Sequence, residues 1–444
     1  MAKEDLEVFK EENGFADRYS IILDKELSKC MIENSICVLK GKQIIINKEC
    51  GDEESIFQLL KEEAPVKSFY TVRLDTAYKF YSGIAAYQNE RYSVVMDFRH
   101  SRRVHKINIE TGSIESQFAI NEKQWAEKIY DVIYKGDAVQ VAKSMKARQQ
   151  YLKRDRMFGD QEFKPENITI KEGRTVLTVE FSFPYVDKAG DTLNKNTCVI
   201  FQLDDSLKIS DYWVAPLEHL QSDFYITHNT GGAKLLFKGD TVFLPVAYIY
   251  FNTEEAAKKY NYAKFILGKN HELMFHSFLP FLVPNEKSAI MPDYYFLHMH
   301  LLEHGNDIVG SYITFPGIYN LSENTKIQHI DLIGSPKRKW DKNDSVLFAN
   351  DIDNLKYLVT YFDRYKDKYY LMQAKNATWN TYTLFDNNMN PIKVIYSSPV
   401  HLDAGNAFYA KDDILYVLKA GTKTESDLFI HKYKLSSIFR QEID

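Results

Sequence analysis

A strand–turn–strand stretch occupies residues 104–114 and reads VHKINIETGSI. Its apolar side chains alternate, which is typical of a strand with one buried face. A polar turn containing Gly112 follows, and a second strand begins after it. Similar stretches recur at residues 198–209, 263–275, 381–394 and 431–438. A recurring hairpin of this kind indicates a repeat architecture and carries no chemistry of its own.

The spacing of these stretches predicts the number of repeats. Their central apolar residues are Ile107, Phe201, Phe265, Leu384 and Tyr433, with another copy at Ile327 to His329. The intervals are about 94, 64, 63, 56 and 49 residues, and an insertion of about 30 residues explains the long first interval. Six copies at this period predict an all-β fold, a six-bladed β-propeller with four strands per blade.

A weaker copy near Ile46 leaves a seven-bladed propeller as the alternative. It lies about 61 residues before Ile107. The simpler interpretation makes it the N-terminal strand set that completes the last blade, because the chain ends soon after Leu435. Closing the ring with strands from both termini removes exposed sheet edges. We therefore expect a tail over residues 1–15 and a single propeller domain over residues 16–440.

The β pattern is interrupted near residues 122–152. Trp125, Ile129 and Ile133 recur at helical spacing, and after Gly136 a second apolar series continues to Leu152. This periodicity predicts one or two helices inserted between the first repeats.

The composition limits the class of protein. The chain has 444 residues, of which 45% are hydrophobic and 26% charged, so it is globular. Aromatic residues reach 14% and favour strands. The net charge of −5 gives no reason to expect a nucleic-acid partner. The sequence has no run of about 18 apolar residues, so we expect no transmembrane segment. We also expect a monomer.

The cysteines and the N-terminus leave the compartment open. No CxxC pair exists among the four cysteines. A disulfide among Cys30, Cys37 and Cys50 remains possible in an oxidising compartment, although buried free thiols are the simpler interpretation. The N-terminus has no apolar signal region, which fits a cytoplasmic protein or a periplasmic or cell-surface protein whose signal was removed.

The last repeats resemble a known group of proteins. Residues 408–418 read FYAKDDILYVL and residues 428–433 read LFIHKY. They look like blades of bacterial TolB-like or NHL-like six-bladed β-propellers, and the resemblance covers roughly residues 16–440. It implies the fold and, from many relatives, a lipoprotein or exported protein. It implies no activity, since a fold does not fix a function.

Histidines supply the candidate metal ligands. His298 and His300 are two residues apart on a predicted strand, so both imidazoles would share a face, and His304 follows. Nothing fixes a tetrahedral ligand set, so exposed or hydrogen-bonded histidines are the simpler interpretation, and a metal site is the alternative. His271 and His276 are five residues apart, one too many for the helical zinc motif, and they fall in a predicted hairpin.

A basic run follows in the inserted segment and includes Lys143, Lys146, Arg148, Lys153 and Arg154. On a helix it would form a basic face able to dock an acidic partner. A solvated outer face is the simpler interpretation.

Two classes of function remain. No nucleophile elbow, cofactor loop or metal motif is present, so we expect no cofactor. The first class is a non-catalytic binding or scaffold propeller, with a protein or glycan ligand at the funnel mouth or on the inserted helix. The alternative is a hydrolase or lyase with its active site in the central funnel. The enzyme hypothesis predicts two carboxylates about 5–10 Å apart in the central funnel. The binding hypothesis predicts an aromatic or polar funnel without such a pair.

Overall fold

The chain forms two compact units in a computed structural model. The first unit comprises residues 1–66 and 396–402, and the second residues 67–395 and 403–444. The structure describes residues 20–23, 35–40, 43–49, 68, 70–74, 83–97, 103–120, 122–154, 163–187, 189–215, 224–226, 235–248, 262–280, 299–312, 317–329, 358–366, 368–375, 380–397, 406–420 and 428–439.

The first unit contains a three-stranded antiparallel sheet in the order β1-β2-β3. Its strands are β1 (Ser20–Leu23), β2 (Ser35–Lys40) and β3 (Gln43–Glu49). Cys30 and Cys50 lie outside the described residues, as does the side chain of Cys37, so the disulfide stays a prediction. The expected tail and the single domain over residues 16–440 also stay predictions, since residues 1–19 and 50–67 lie outside the described part.

The second unit holds six antiparallel sheets within its described residues, each a blade of a propeller. The predicted six-bladed fold is therefore confirmed and the seven-bladed alternative is wrong. One strand, β4 (Tyr70–Arg73), precedes blade 1 in the chain. Blade 1 contains β5 (Gly83–Tyr87), β6 (Tyr92–Asp97), β7 (Val104–Asn108) and β8 (Ile114–Phe118). Blade 2 contains β9 (Phe163–Lys171), β10 (Arg174–Val186), β11 (Thr192–Leu203) and β12 (Ile209–Val214).

Blades 3 and 4 follow in chain order. In blade 3 the first strand is split, because β13 and β14 pair with opposite ends of β15. Blade 3 contains β13 (Phe224–Ile226), β14 (Leu236–Lys238), β15 (Thr241–Tyr248), β16 (Tyr262–Leu267) and β17 (Leu273–Phe278). Blade 4 contains β18 (Met299–His304), β19 (Asp307–Tyr312), β20 (Gly317–Asn320) and β21 (Thr325–His329).

Blades 5 and 6 complete the ring. Blade 5 contains β22 (Leu358–Tyr365), β23 (Tyr369–Lys375), β24 (Asn380–Phe385) and β25 (Pro391–Ser397). Blade 6 contains β26 (Asn406–Lys411), β27 (Ile414–Ala420) and β28 (Leu428–Lys434), with β4 as its fourth strand. The first strands of blades 6 and 1 contact each other, as do those of blades 1 and 2, 3 and 4, 4 and 5, and 5 and 6.

The closing strand differs from the expected one. Residues 43–49 near Ile46 pair with β2, whereas β4 pairs antiparallel with β28 in the last blade. His431 of β28 contacts the Thr71 hydroxyl through Nδ1 at 2.9 Å. The ring is therefore closed by strands from the two ends of the second unit, but by a later N-terminal strand than the one we expected.

The repeated turn has a shared physical cause. An Asn or Asp ends or directly follows the third strand in blades 1, 2, 4 and 5, and its Oδ1 accepts two backbone N–H groups of the following turn at 2.8–3.2 Å. Such side-chain bonds replace the missing strand partners. The four residues are Asn108, Asp204, Asn320 and Asp386. In blade 4 the repeat therefore centres on β20, and the expected position at Ile327 to His329 is wrong.

The hydrophobic core is divided among the blade interfaces. In β6, Val94 and Met96 pack toward blade 2, whereas Val95 packs toward blade 6, and all three are fully buried. Because successive side chains of a strand point to opposite faces, a blade with a neighbour on both sides must be apolar on both. Each sheet is therefore stable only when both of its neighbours are in place.

The inserted segment forms two helices, as predicted. They are α1 (Glu122–Ile133) and α2 (Ala138–Arg154), and a short helix α3 (Leu435–Phe439) follows β28. Tyr130 packs edge-on against Phe181 and Phe183 of the long strand β10, and Tyr134 stacks on Tyr185 at 5.8 Å. The insertion thus covers the extended hairpin of blade 2. Among the described helices, none combines the length and apolar character needed to cross a bilayer.

The turn of the opening stretch contacts the closing strand. Gly112 has φ +76°, and a Cβ placed on it would lie 2.2 Å from the carbonyl oxygen of Arg73 in β4. The Tyr70 hydroxyl of the same strand donates a hydrogen bond to the Glu110 carbonyl. Blade 1 therefore packs its turn tightly against the strand that completes blade 6.

Substitution of this glycine tests the contact. We expect Gly112→Ala to lower the free energy of unfolding by at least about 2 kcal/mol, from left-handed strain and a backbone clash. Gly136→Ala is the matched control, because Gly136 has φ +77° and a Cβ added to it would meet nothing within 4 Å; it should cost only about 1 kcal/mol. Urea unfolding followed by circular dichroism measures both. Equal losses would contradict the contact.

Candidate binding pocket in the central channel

A pocket of about 250 Å³ lies among the inner strands of the propeller. The lining comes from the first strands of blades 1, 2, 4, 5 and 6, with Leu418 of β27 behind them. These strands are the inner edges of their sheets, so they carry backbone N–H and C=O groups with no neighbouring strand on that side. The channel therefore offers hydrogen-bonding groups from backbone as well as side chains.

The polar side chains of the pocket include one carboxylate among the described lining residues. That carboxylate is Asp363, which is partly exposed on β22. The other polar groups are amide, hydroxyl and imidazole groups. They belong to Asn406, Thr169, Thr360 and His300.

Aromatic rings form much of the remaining wall. Tyr87 of blade 1 and Tyr409 of blade 6 stack with ring centroids 3.7 Å apart and planes 7° apart. Tyr416, which is not itself a lining residue, tilts against both rings with centroid distances of 5.4 and 5.9 Å. We call Tyr87, Tyr409 and Tyr416 the tyrosine cluster. Tyr361, Phe362 and Phe408 add further aromatic lining beside it.

The tyrosines of the pocket are held in their neutral form. Burial raises the pKa of Tyr87, and the neighbouring Tyr416 and Tyr409, followed by Glu90 and Asp412, raise it further. Burial also raises the pKa of Tyr361 well above its usual value, and the charge of Asp363 adds to that rise. These hydroxyls therefore serve as hydrogen-bond donors and acceptors and not as nucleophiles.

A buried glutamine supports the wall between blades 5 and 6. The Oε1 atom of Gln373 accepts hydrogen bonds from the Thr360 hydroxyl and the Ala407 backbone N–H, both at 2.7 Å. Its Nε2 atom donates to the Tyr382 hydroxyl at 3.0 Å. Since Thr360 and Ala407 both line the pocket, Gln373 fixes the spacing of the two inner strands that carry them.

The candidate metal ligands that the structure describes, His300 and His304, make hydrogen bonds to different groups. His300 is buried, and its Nε2 donates to the Val359 carbonyl at 3.1 Å. His304 contacts the Tyr370 hydroxyl through Nδ1 at 2.7 Å. His298 lies outside the described residues. Within the described part of the chain, no group of three His, Cys, Asp or Glu side chains is placed to hold a metal ion.

The candidate basic face is smaller than expected. Lys143 and Lys146 are exposed on α2, but Arg148 is only 5% exposed and faces inward. Lys153 and Arg154 fall in the last turn of α2, and their side chains lie outside the described part. Arg148 therefore does not contribute to an exposed surface, and docking by the others stays a prediction.

The cysteine of the described residues is not a nucleophile. Cys198 is a buried free thiol. Burial, followed by the charges of Glu180 and Glu166, raises its pKa to about 12. Because the thiolate is the reactive form, this thiol is inert near neutral pH.

Comparisons with known proteins found similar structures but no matching sequence. No protein-family model and no curated protein sequence matches it. A member of the DUF4221 family from Bacteroides vulgatus is similar in structure, with 10% identity and a TM-score of 0.48 over 84% of this chain and 98% of the other. YCF48 bound to D1 peptide is 6% identical, with a TM-score of 0.36 over 83% and 97%. These likenesses are too distant to carry an argument about function.

Replacement of Gln373 tests its role behind the pocket. Gln373→Leu would leave the Ala407 N–H and two hydroxyls without this partner, so we expect a loss of about 2–4 kcal/mol in the free energy of unfolding. Tyr382→Phe removes one of the three bonds and should cost about 1 kcal/mol. Chemical denaturation measures both variants. A Gln373→Leu protein as stable as wild type would show that the glutamine does not support the wall.

Proposed function

We propose that this protein is a non-catalytic binding propeller whose ligand enters the central pocket. The observation that carries the proposal is the chemistry of the wall, which has aromatic rings and neutral polar groups and, among its described residues, a single carboxylate. Concave sites lined by aromatic side chains with a few converging polar groups are typical of ligand binding. The ligand is a protein segment or a glycan.

The volume limits how much of a ligand can enter. At about 250 Å³, the pocket is close to the lower end of the range of about 300–1,000 Å³ for small-molecule sites. It suits one side chain or one sugar ring, with the rest of the ligand lying across the channel mouth.

The inserted helices are a weaker location for the ligand. Their aromatic side chains pack onto blade 2, and Arg148 is turned inward. Lys143 and Lys146 are exposed on α2. As a minor part of the proposal, these two lysines make a second, electrostatic contact with a partner.

Membership of the TolB-like or NHL-like propellers belongs to the proposal as well. The six blades and the pattern of residues 408–433 support it. It would bring with it a bacterial source and an exported or lipid-anchored protein. A monomeric state is part of the same proposal.

Filling the pocket tests the binding function. Asn406 is exposed in β26 and lines the pocket, so Asn406→Trp should fill it without disturbing the core. Gln117→Trp, on the outer strand β8, is the matched control. We expect a mixture of small neutral sugars, amides and amines to give saturation-transfer NMR signals with wild type and the control, and none with Asn406→Trp. Identical signals from all three proteins, or no signal from wild type, would refute the proposal.

A turnover assay separates this proposal from the funnel hydrolase. Retaining and inverting glycosidases use two carboxylates, and the described lining has Asp363 alone. We expect no release of nitrophenol from p-nitrophenyl glycosides or esters above buffer. Release that disappears in Asp363→Asn would favour the hydrolase instead.

A further inference from the structure

We propose that the central pocket selects an organic cation, an alkylammonium or guanidinium group, held between the aromatic wall and Asp363. This inference rests on the proposed binding function of the pocket and adds the charge of the ligand.

The first support is the pairing of aromatic rings with a carboxylate. Five aromatic residues line the pocket, namely Tyr87, Tyr361, Phe362, Phe408 and Tyr409. The electron-rich faces of such rings attract cations, most strongly where water is excluded. A carboxylate in the same wall supplies a charge-assisted hydrogen bond to the N–H groups that an ammonium or guanidinium presents.

The second support is the sign of the charges. No lysine or arginine is found among the described residues that line the pocket. Beside the tyrosines, Lys411 lies 3.6 Å from Glu90 and 3.7 Å from Asp412, so its single positive charge is shared between two carboxylates. Both of these carboxylates, as well as Lys411, act on the pKa of Tyr409.

The pKa values of the tyrosines are affected by the same carboxylates. After burial, the causes that raise the pKa of Tyr361, Tyr87 and Tyr416 include the charges of Asp363, Glu90 and Asp412. For Tyr409, Lys411 opposes these charges, and the pKa is still raised. Burial disfavours any charged form, but the contribution of these carboxylates disfavours an anionic ligand and favours a cationic one.

The size of the pocket limits which cationic groups can enter it. About 250 Å³ admits a small amine or the end of one lysine or arginine side chain, but no folded element. Both sources present the same chemical group to the wall, so they differ only in what surrounds the channel mouth.

Isothermal titration with matched four-carbon probes tests the selectivity. Butylammonium and butylguanidinium should bind wild type at least about tenfold more tightly than 1-butanol or butyrate. Asp363→Asn, which keeps an acceptor for the Arg364 backbone N–H, should weaken butylammonium binding about tenfold. The control Asp240→Asn, at a carboxylate that is 85% exposed in blade 3, should stay within about twofold of wild type.

The aromatic contribution has its own pair of variants. Tyr409→Leu should weaken butylammonium binding about tenfold, whereas Tyr409→Phe, which keeps the ring, should stay within about threefold. A thermal melt of each variant checks that the fold is retained. Equal losses in both variants would indicate a role of the hydroxyl group and overturn the aromatic part of the inference.

The outcomes separate this inference from the function on which it rests. If 1-butanol binds as tightly as butylammonium and Asn406→Trp abolishes both, the binding pocket stands and the cation selectivity is wrong. If no four-carbon probe binds wild type but sugars or amides give saturation-transfer signals that Asn406→Trp removes, the cation inference alone is wrong. If neither set of probes binds, both are wrong. Blocked Gly-Lys-Gly identifies the source. Binding at least about tenfold tighter than butylammonium supports a basic side chain of a partner, and equal or weaker binding supports a free amine.

Discussion

The structure depends on the pairing of β28 with β4, which joins residues about 360 positions apart. Each blade buries both faces against neighbours, so a ring with one open seam would expose the apolar faces of blades 1 and 6 together. Residues such as Val95 and Ile430 share a core only because that seam is closed. The ladder is four residues long, and the contacts of Tyr70 with Glu110 and of Arg73 with Gly112 connect β4 to the turn of blade 1 as well.

The pocket is a product of the same closure. Tyr87 lies at the end of the first strand of blade 1 and Tyr409 in the first strand of blade 6, and they stack only across the closed seam. Gln373 performs the corresponding task between blades 5 and 6, with hydrogen bonds in place of ring contacts. The wall is thus assembled from short inner strands whose relative positions are set by side-chain contacts between neighbouring blades.

Much of the fold could be predicted because its signals are local. The Asn or Asp at the end of a third strand, or directly after it, bonds within four residues, and the alternation around Ile107 is visible in the sequence. The four-residue strand β20 escaped prediction because its residues are all buried and show no alternation. The closing strand escaped because β4 is also only four residues long, and pairing to β28 is a tertiary property.

The pocket could not be predicted from local patterns. Its wall combines residues from positions 85 to 418, and periodicity cannot say which strand edges meet at an axis. In β22 a register shift between Val359 and Tyr361 changes which side chains face the channel. The prediction for Arg148 failed for a different reason. A run of charged residues predicts a solvated face, but it does not indicate which member of the run is buried.

The distance between β4 and β28 in the chain also sets an order of events during synthesis. A ribosome releases β4 about 360 residues before its partner strand β28. Through that interval blade 1 lacks one of its neighbours, and β4 has no strand of its own blade to join. Non-local pairings of this kind slow folding and lengthen the exposure of apolar surface. The nascent chain is therefore most vulnerable to aggregation in the interval before β28 emerges.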